Sequence, residues 1–189
     1  SIYRAQRRGG RGRRGAAVRD EDPVEHLFVA STHDFLLVFT SVGKVYWLKV
    51  HQLPEASRQA KGKAIVNLIQ IGQVEWVTAA LPVREFIPSH YILMATKLGI
   101  IKKTELDAYS HPRLSGIIAI TLEEGDALIA AEVTDGQRDV FLGTKDGLSI
   151  RFNEKDVREI GRTGKGVIGV RLDQGNEVVG MEIVRGESN

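Results

Sequence analysis

Three segments of this chain superpose without a gap around a glycine: FLLVFTSVGKVYWLKV from Phe35, YILMATKLGIIKKTEL from Tyr91 and DVFLGTKDGLSIRFNE from Asp139. Each is an apolar run, a threonine, a short turn holding Gly43, Gly99 or Gly147, and a second run of period-two character. Glycine supplies the positive φ of a tight turn, and Val, Ile, Phe and Tyr suit the flanks, so each segment predicts a β-hairpin. A second pattern recurs between them, in GKAIVNLIQIGQVEWV, SGIIAITLEEGDALIA and GKGVIGVRLDQGNEVV, again read as strand, glycine turn, strand. The unit is four strands in about fifty residues, with almost no helical periodicity, which predicts an all-β, propeller-like array of blades. The expected organisation is one domain over 1–189: a part-blade over 1–30 and blades over 31–80, 81–135 and 136–189.

Residues 4–30 match the later half of a unit. Arg11-Gly12-Arg13 stands fifty positions ahead of Lys61-Gly62-Lys63, and Val24-Glu25 fifty ahead of Val74-Glu75. The arginine-glycine stretch QRRGGRG, Gln6 to Gly12, is therefore expected in the long loop that joins the two hairpins of a blade. Later copies fill that loop with ASRQAKGKA, SHPRLSGI and IGRTGKGV.

Charge becomes informative once sorted by repeat position. The chain's net +2 includes six arginines and no acid in residues 1–15, which leaves −4 on the other 174 residues. The long loops carry Arg7, Arg8, Arg11, Arg13 and Arg14, then Arg58, Lys61 and Lys63, then Arg113, then Arg158, Arg162 and Lys165. The acids Asp20-Glu21-Asp22, Glu123-Glu124-Asp126 and Asp173-Glu177 fall at the turn one strand further on. A six-residue strand rises ~20 Å, so the pattern predicts one positive and one negative edge. The hairpins add Lys44, Lys97, Lys102, Lys103, Lys145 and Arg151 as further candidates.

A Gly-Gly-Arg-Gly loop lets backbone N–H groups approach an anion without Cβ interference, while arginine forks grip phosphate oxygens in pairs. Phosphate contacts hold a duplex without reading its bases, so the expected partner is double-stranded DNA bound with little sequence preference. The candidate DNA-binding set is Gln6, Arg7, Arg8, Gly9, Gly10, Arg11, Gly12, Arg13, Arg14, Arg58, Lys61, Lys63, Lys97, Lys102, Lys103, Arg113, Lys145, Arg151, Arg158, Arg162 and Lys165.

Other chemistries find little support. The apolar patches at 35–39 and 127–131 fall far short of the ~18 residues of a membrane span, and no apolar segment follows the basic N-terminus as a signal peptide requires. A cytoplasmic location is the expectation. There are no cysteines, and the five histidines show no ligand spacing, so no metal site is expected. GRTGKG, 161–166, departs from the phosphate-loop pattern, with Glu159 at the leading glycine and Gly166 at the Ser/Thr. Tyr3, Tyr46, Tyr91 and Tyr109 lack an activating arginine and histidine nearby in sequence, and Trp47 and Trp76 read as blade packing.

Gln6 to Gly12 resembles the seven-residue GyrA box, and the chain from EHLFVASTHDFLL onward resembles the C-terminal domain of bacterial DNA gyrase A. The resemblance implies a β-pinwheel whose basic perimeter wraps DNA in a fixed handed sense, so that strand passage by a type II topoisomerase introduces negative supercoils. It gives Gln6, Arg7, Arg8, Gly9, Gly10, Arg11 and Gly12 the role of the box. It places the catalytic tyrosine in an N-terminal breakage-reunion region and the ATP and Mg²⁺ sites on the gyrase B polypeptide, so no cofactor and no catalytic residue are expected here. The implied partners are DNA, that N-terminal region and gyrase B in a heterotetramer, in the bacterial cytoplasm at the nucleoid. Family discs usually have about six blades, so a partial array is expected. The rival readings are a topoisomerase IV-type pinwheel, a protein-interaction propeller, and a single-strand or RNA binder using residues 4–15.

Overall fold

The computed structural model describes residues 35–49, 71–72 and 74–184; the box stretch Gln6 to Gly12, Arg13, Arg14, and the loop with Arg58, Lys61 and Lys63 lie outside them. The strands run β1 Phe35–Thr40, β2 Lys44–Lys49, β3 Val77–Val83, β4 Tyr91–Thr96, β5 Ile100–Glu105, β6 Ile117–Ile118, β7 Leu128–Thr134, β8 Asp139–Thr144, β9 Ser149–Asn153, β10 Val167–Ile168 and β11 Val178–Val184. Single 3₁₀ turns at Leu106–Tyr109 and Glu154–Asp156 are the helical elements among the described residues.

All three glycine-centred segments form antiparallel hairpins, with Phe39 opposite Val45, Ala95 opposite Ile101 and Gly143 opposite Ser149. Gly43, Gly99 and Gly147 hold φ of 80°, 92° and 86° at the turns, the left-handed region where a side chain is strained.

The second recurring pattern is not a hairpin. Its two strands lie in different sheets: β6 pairs with β2 through Lys44–Ile118 and Val45–Ile117, whereas β7 pairs with β4. The sheets are ordered β3-β1-β2-β6, β10-β5-β4-β7 and β11-β8-β9. Each hairpin thus gains one neighbour from its own repeat (β3, β7 or β11). The first two gain a two-residue outer strand from the repeat after (β6 or β10). The unit boundary expected after residue 80 falls inside β3, and blades of contiguous sequence give way to strands exchanged between repeats. The physical reason is that alternation and a glycine turn specify extended backbone but not the partner it pairs with, which here is non-local.

The exchange stacks the sheets face to face. Leu37 and Phe39 of β1 join Ile92 and Met94 of β4 in one core, while Leu93 and Ala95 of β4 join Val140 and Leu142 of β8 in the next. Burial on both faces explains why these strands are nearly unbroken apolar runs: YILMA sits between the two cores, and FLLVF buries Leu37 and Phe39 in one cluster and Leu36 and Val38 in another. Trp47 stacks on Phe86 at 5.0 Å and donates its indole N–H to the carbonyl of Tyr109 at 2.8 Å, as its packing role requires. Trp76, by contrast, is exposed.

Candidate nucleic-acid interface

The long loops are positioned by the outer strand of the preceding repeat's hairpin. In the second repeat the loop through Arg113 turns back on itself, Gly116 N–H to Arg113 carbonyl at 2.9 Å, and enters β6 beside β2. Gly116 is required there: a Cβ would lie 2.8 Å from the Tyr46 ring, at a φ of 75°. In the third repeat the loop through Arg158, Arg162 and Lys165 lies along β5. Ile160 N–H donates to the Lys103 carbonyl at 2.9 Å and Thr104 Oγ1 donates to the Ile160 carbonyl at 2.7 Å. Thr121, from the repeat before, donates its hydroxyl to the Thr163 carbonyl at 2.7 Å and its N–H to the Gly164 carbonyl at 3.1 Å.

Arg113, Arg158 and Lys165 are exposed on these loops, and Arg162 is half-buried, its guanidinium donating to the Ile118 carbonyl. The structure therefore brings successive long loops together: the end of one supports the arginine of the next. Lys97 and Lys145 sit elsewhere, at the hairpin turns. Their own N–H groups donate to the Ala127 and Glu177 carbonyls at 2.8 Å, and Leu98 N–H donates to Asp126 Oδ1 at 2.9 Å, so both lysines adjoin the acidic turns. Arg151, exposed on β9, is paired with Asp139 at Nε–Oδ2 2.8 Å, and hydrogen bonds from Arg151 and Asn153 hold the Asp139 carboxyl below the usual carboxylate range.

Lys102 and Lys103 are placed against the sequence expectation. Lys102 is wholly buried, with Nζ donating to the Ala119 carbonyl at 2.8 Å and to the Arg162 carbonyl. Lys103 is buried too, donating to the Glu154 carbonyl at 2.9 Å and lying 5.1 Å over the Tyr91 ring. Strand alternation points one of two neighbouring side chains to solvent, but here Lys102 meets Ala119, just past β6, and Arg162 of the third long loop, while Lys103 on the other face meets the 3₁₀ turn at Glu154–Asp156 and the Tyr91 ring. Alignment of the repeats carried the signal, since Lys102 and Lys103 align with Tyr46 and Trp47. Both ammonium groups are thus enclosed by protein rather than presented on a surface. Burial and the nearby Arg162 guanidinium push the Lys102 ammonium down to about 7.

The expected separation of basic loops from acidic turns also fails at one place. Lys165 and Glu123 form an ion pair at 2.7 Å, both well exposed. The strand between loop and turn was expected to be long; β6 and β10 are two residues each, too short to hold the two charge classes apart. Sequence reading missed Thr104, in β5, and Thr121, just past β6, whose hydroxyls bind loop carbonyls, because a lone threonine carries no pattern of its own.

The family model described as the DNA gyrase C-terminal domain, a beta-propeller, matches residues 3–31, 34–68, 90–135 and 138–185. The chain belongs to the DNA gyrase A C-terminal domain family. The first matched segment includes the box, and each of the other three contains one of the glycine-centred hairpins. The DNA gyrase A polypeptide of Klebsiella oxytoca is 48% identical over 185 residues, covering 98% of this chain and 21% of the relative. The DNA gyrase A polypeptide of Escherichia coli K12 is 46% identical over 187 residues, covering 99% of this chain and 21% of the relative. The chain thus spans about a fifth of the length of the relatives it matches. Among solved structures, the C-terminal domain of DNA topoisomerase IV aligns at TM-score 0.74 and 33% identity, over 82% of this chain and 49% of that one. The DNA gyrase A C-terminal domain aligns at TM-score 0.68 and 26% identity, over 82% and 50%. The gyrase and topoisomerase IV domains share this fold, and the named sequence relatives favour gyrase.

Proposed function

We propose that this chain binds duplex DNA along the border formed by its long loops, as the DNA-wrapping part of a gyrase A polypeptide. The observation that carries the reading is the family match to four segments along the chain, the first of which includes the box. Arg113, Arg158 and Lys165 stand exposed on loops whose backbones are fixed by hydrogen bonds. Fixed loops matter because a bent duplex must be held by groups that do not move with it. Smoothly bending a 20–30 bp site by 40–90° costs about 1–6 kcal/mol, which counterion release from several phosphate contacts offsets. Lys102 and Lys103 are not among the contacts proposed; Gln6, Arg7, Arg8, Gly9, Gly10, Arg11, Gly12, Arg13, Arg14, Arg58, Lys61 and Lys63 remain proposed from sequence, and Lys97, Lys145, Arg151 and Arg162 are secondary to the exposed loop cations. In the intact enzyme the wrap would present DNA to a breakage-reunion region and serve ATP-dependent negative supercoiling with gyrase B. The chemistry, ATP and Mg²⁺ belong to those parts, and the setting is the bacterial cytoplasm.

The test is topological. The protein is bound to nicked circles, the nick is ligated, protein is removed and linking number is measured. A shift of one sign that grows with protein is expected; saturated binding with no shift would remove wrapping by this chain. Alanine at Arg7, Arg8 and Arg11 is expected to reduce the shift more than the binding.

A further inference from the structure

We propose that Lys102 is a positioning residue that fastens two successive long loops to each other, and so sets the spacing of the cations they present; this rests on the DNA-wrapping reading above. Its Nζ donates to one carbonyl from each of two repeats: Ala119, just past β6 of the first sheet's border, and Arg162, in the loop that leads into β10 of the second. These acceptors lie 17 and 60 residues away in sequence, so no local structure brings them together.

Around this ammonium the two loops are linked in both directions. The Arg162 guanidinium donates back to Ile118, next to Ala119, and Thr121 binds the carbonyls of Thr163 and Gly164. Tyr109, from the same repeat as Ala119, donates its hydroxyl to the Ala119 carbonyl at 3.1 Å. Lys102 is the member of this set that touches both loops and lies on a strand of the second hairpin, so it ties the junction to the blade. A phosphate contact is not open to it without giving up its bonds to both carbonyls. Exposed Arg113 belongs to the long loop of one repeat, and exposed Arg158 and Lys165 to that of the next. What the fastening fixes is therefore the relative position of cations from two blades, a quantity that matters to the curvature of bound DNA more than to how many phosphates are held.

The experiment compares the full chain with Lys102→Met, which keeps the apolar length and loses every donor, and Lys102→Gln, which keeps two N–H donors without the charge. Duplex affinity is measured against salt and linking number in the ligation assay. Lys102→Met is expected to keep the wild-type slope of log K against log salt and to lose at least half of the linking-number shift, with Lys102→Gln retaining most of it. A slope smaller by about 0.9 would mark one lost phosphate contact and overturn the proposal. So would a folded Lys102→Met that shifts linking number as the wild type does. Amine acylation of the wild-type chain, read by mass spectrometry, covers the case in which the variants fail to fold: Lys102 is expected unmodified with and without DNA while Lys165 reacts. Labelling of Lys102 in the free protein, lost on adding DNA, overturns the positioning role. A wild-type chain that binds duplex yet shifts nothing removes the wrapping reading, and this proposal with it; an unchanged shift in the variant removes this proposal alone.

Discussion

Gly99 and Val170 meet backbone to backbone: the Gly99 carbonyl accepts the Val170 N–H at 3.2 Å, and a Cβ on Gly99 would stand 2.5 Å from the Val170 carbonyl oxygen. Gly43 and Ile120 repeat the relationship one blade earlier, again at 2.5 Å. Gly147 has the same turn and a similar φ, but nothing lies within 4 Å of its Cβ position. The three glycines thus separate a conformational requirement from a steric one. Alanine at Gly147 is expected to cost about 1 kcal/mol, the left-handed penalty alone. Alanine at Gly99 is expected to cost about 2–4 kcal/mol, because a backbone carbonyl must also move. Urea denaturation of the two variants checks this, and equal losses would refute the steric part.

The Lys102 ammonium makes stability depend on pH with a definite sign. Its pKa falls from the ordinary lysine value to about 7 on folding, so between about 7 and 10.4 the unfolded chain holds a proton that the folded one has released. The unfolded state binding more protons means that stability rises with pH through this window, by at most about 1.4 kcal/mol per pH unit from this group. Below pH 7 both states are protonated and the contribution is flat, at its least favourable. Arg162 and Tyr109 are the ionisable groups closest to it; burial keeps the Tyr109 phenol neutral across the window. Denaturation midpoints from about pH 6.5 to about pH 9.5 are expected to climb in the wild type and to climb less in Lys102→Gln.

Trp47 has two separable roles, stacking on Phe86 and donating to the Tyr109 carbonyl. Trp47→Phe keeps the first and loses the second, for an expected cost of about 1–2 kcal/mol. Trp47→Ala loses both, for about 3–5 kcal/mol. A Trp47→Phe variant as stable as the wild type would show that the indole N–H contributes nothing, and equal losses in the two variants would show that the stacking does not.

The Lys165–Glu123 pair is exposed, so it contributes little to stability, about 0–1 kcal/mol. Its consequence lies in what Lys165 is free to do. Glu123→Gln is expected to leave the melting temperature nearly unchanged and to strengthen duplex binding roughly 2- to 5-fold at low salt, the scale of one neighbouring unit charge in water. The gain should shrink as salt rises. Unchanged affinity at low salt would place Lys165 away from bound DNA.

The hairpins were legible because each needs only local information: an apolar run, a glycine able to take positive φ, and a second run. Trp47 was legible as packing for the same reason, a large ring at an inward strand position. The candidate interface was legible in part. The loops carrying Arg113, Arg158 and Lys165 present those side chains outward, although each leads into an outer strand of the preceding sheet and not into a second hairpin. Lys102 and Lys103 were misread because a charged residue in a strand is counted as solvent-facing unless a partner is known. Of their partners, the carbonyls of Arg162 and Glu154 come from the next repeat, and that of Ala119 from 17 residues further on in the same one.

The chain's residues alone determine that it is a repeating all-β array, where its tight turns fall, and that its long loops are rich in cations, since all three follow from turn chemistry and side-chain alternation within one unit. Only the tertiary structure decides that β6 and β10 cross to the preceding sheet, that Glu123 meets Lys165, and that two lysines of β5 point into protein. Those outcomes depend on which extended segment finds which edge. Pairing energy is nearly blind to sequence along the backbone, so the choice is made by how whole sheets stack, through contacts between residues tens of positions apart.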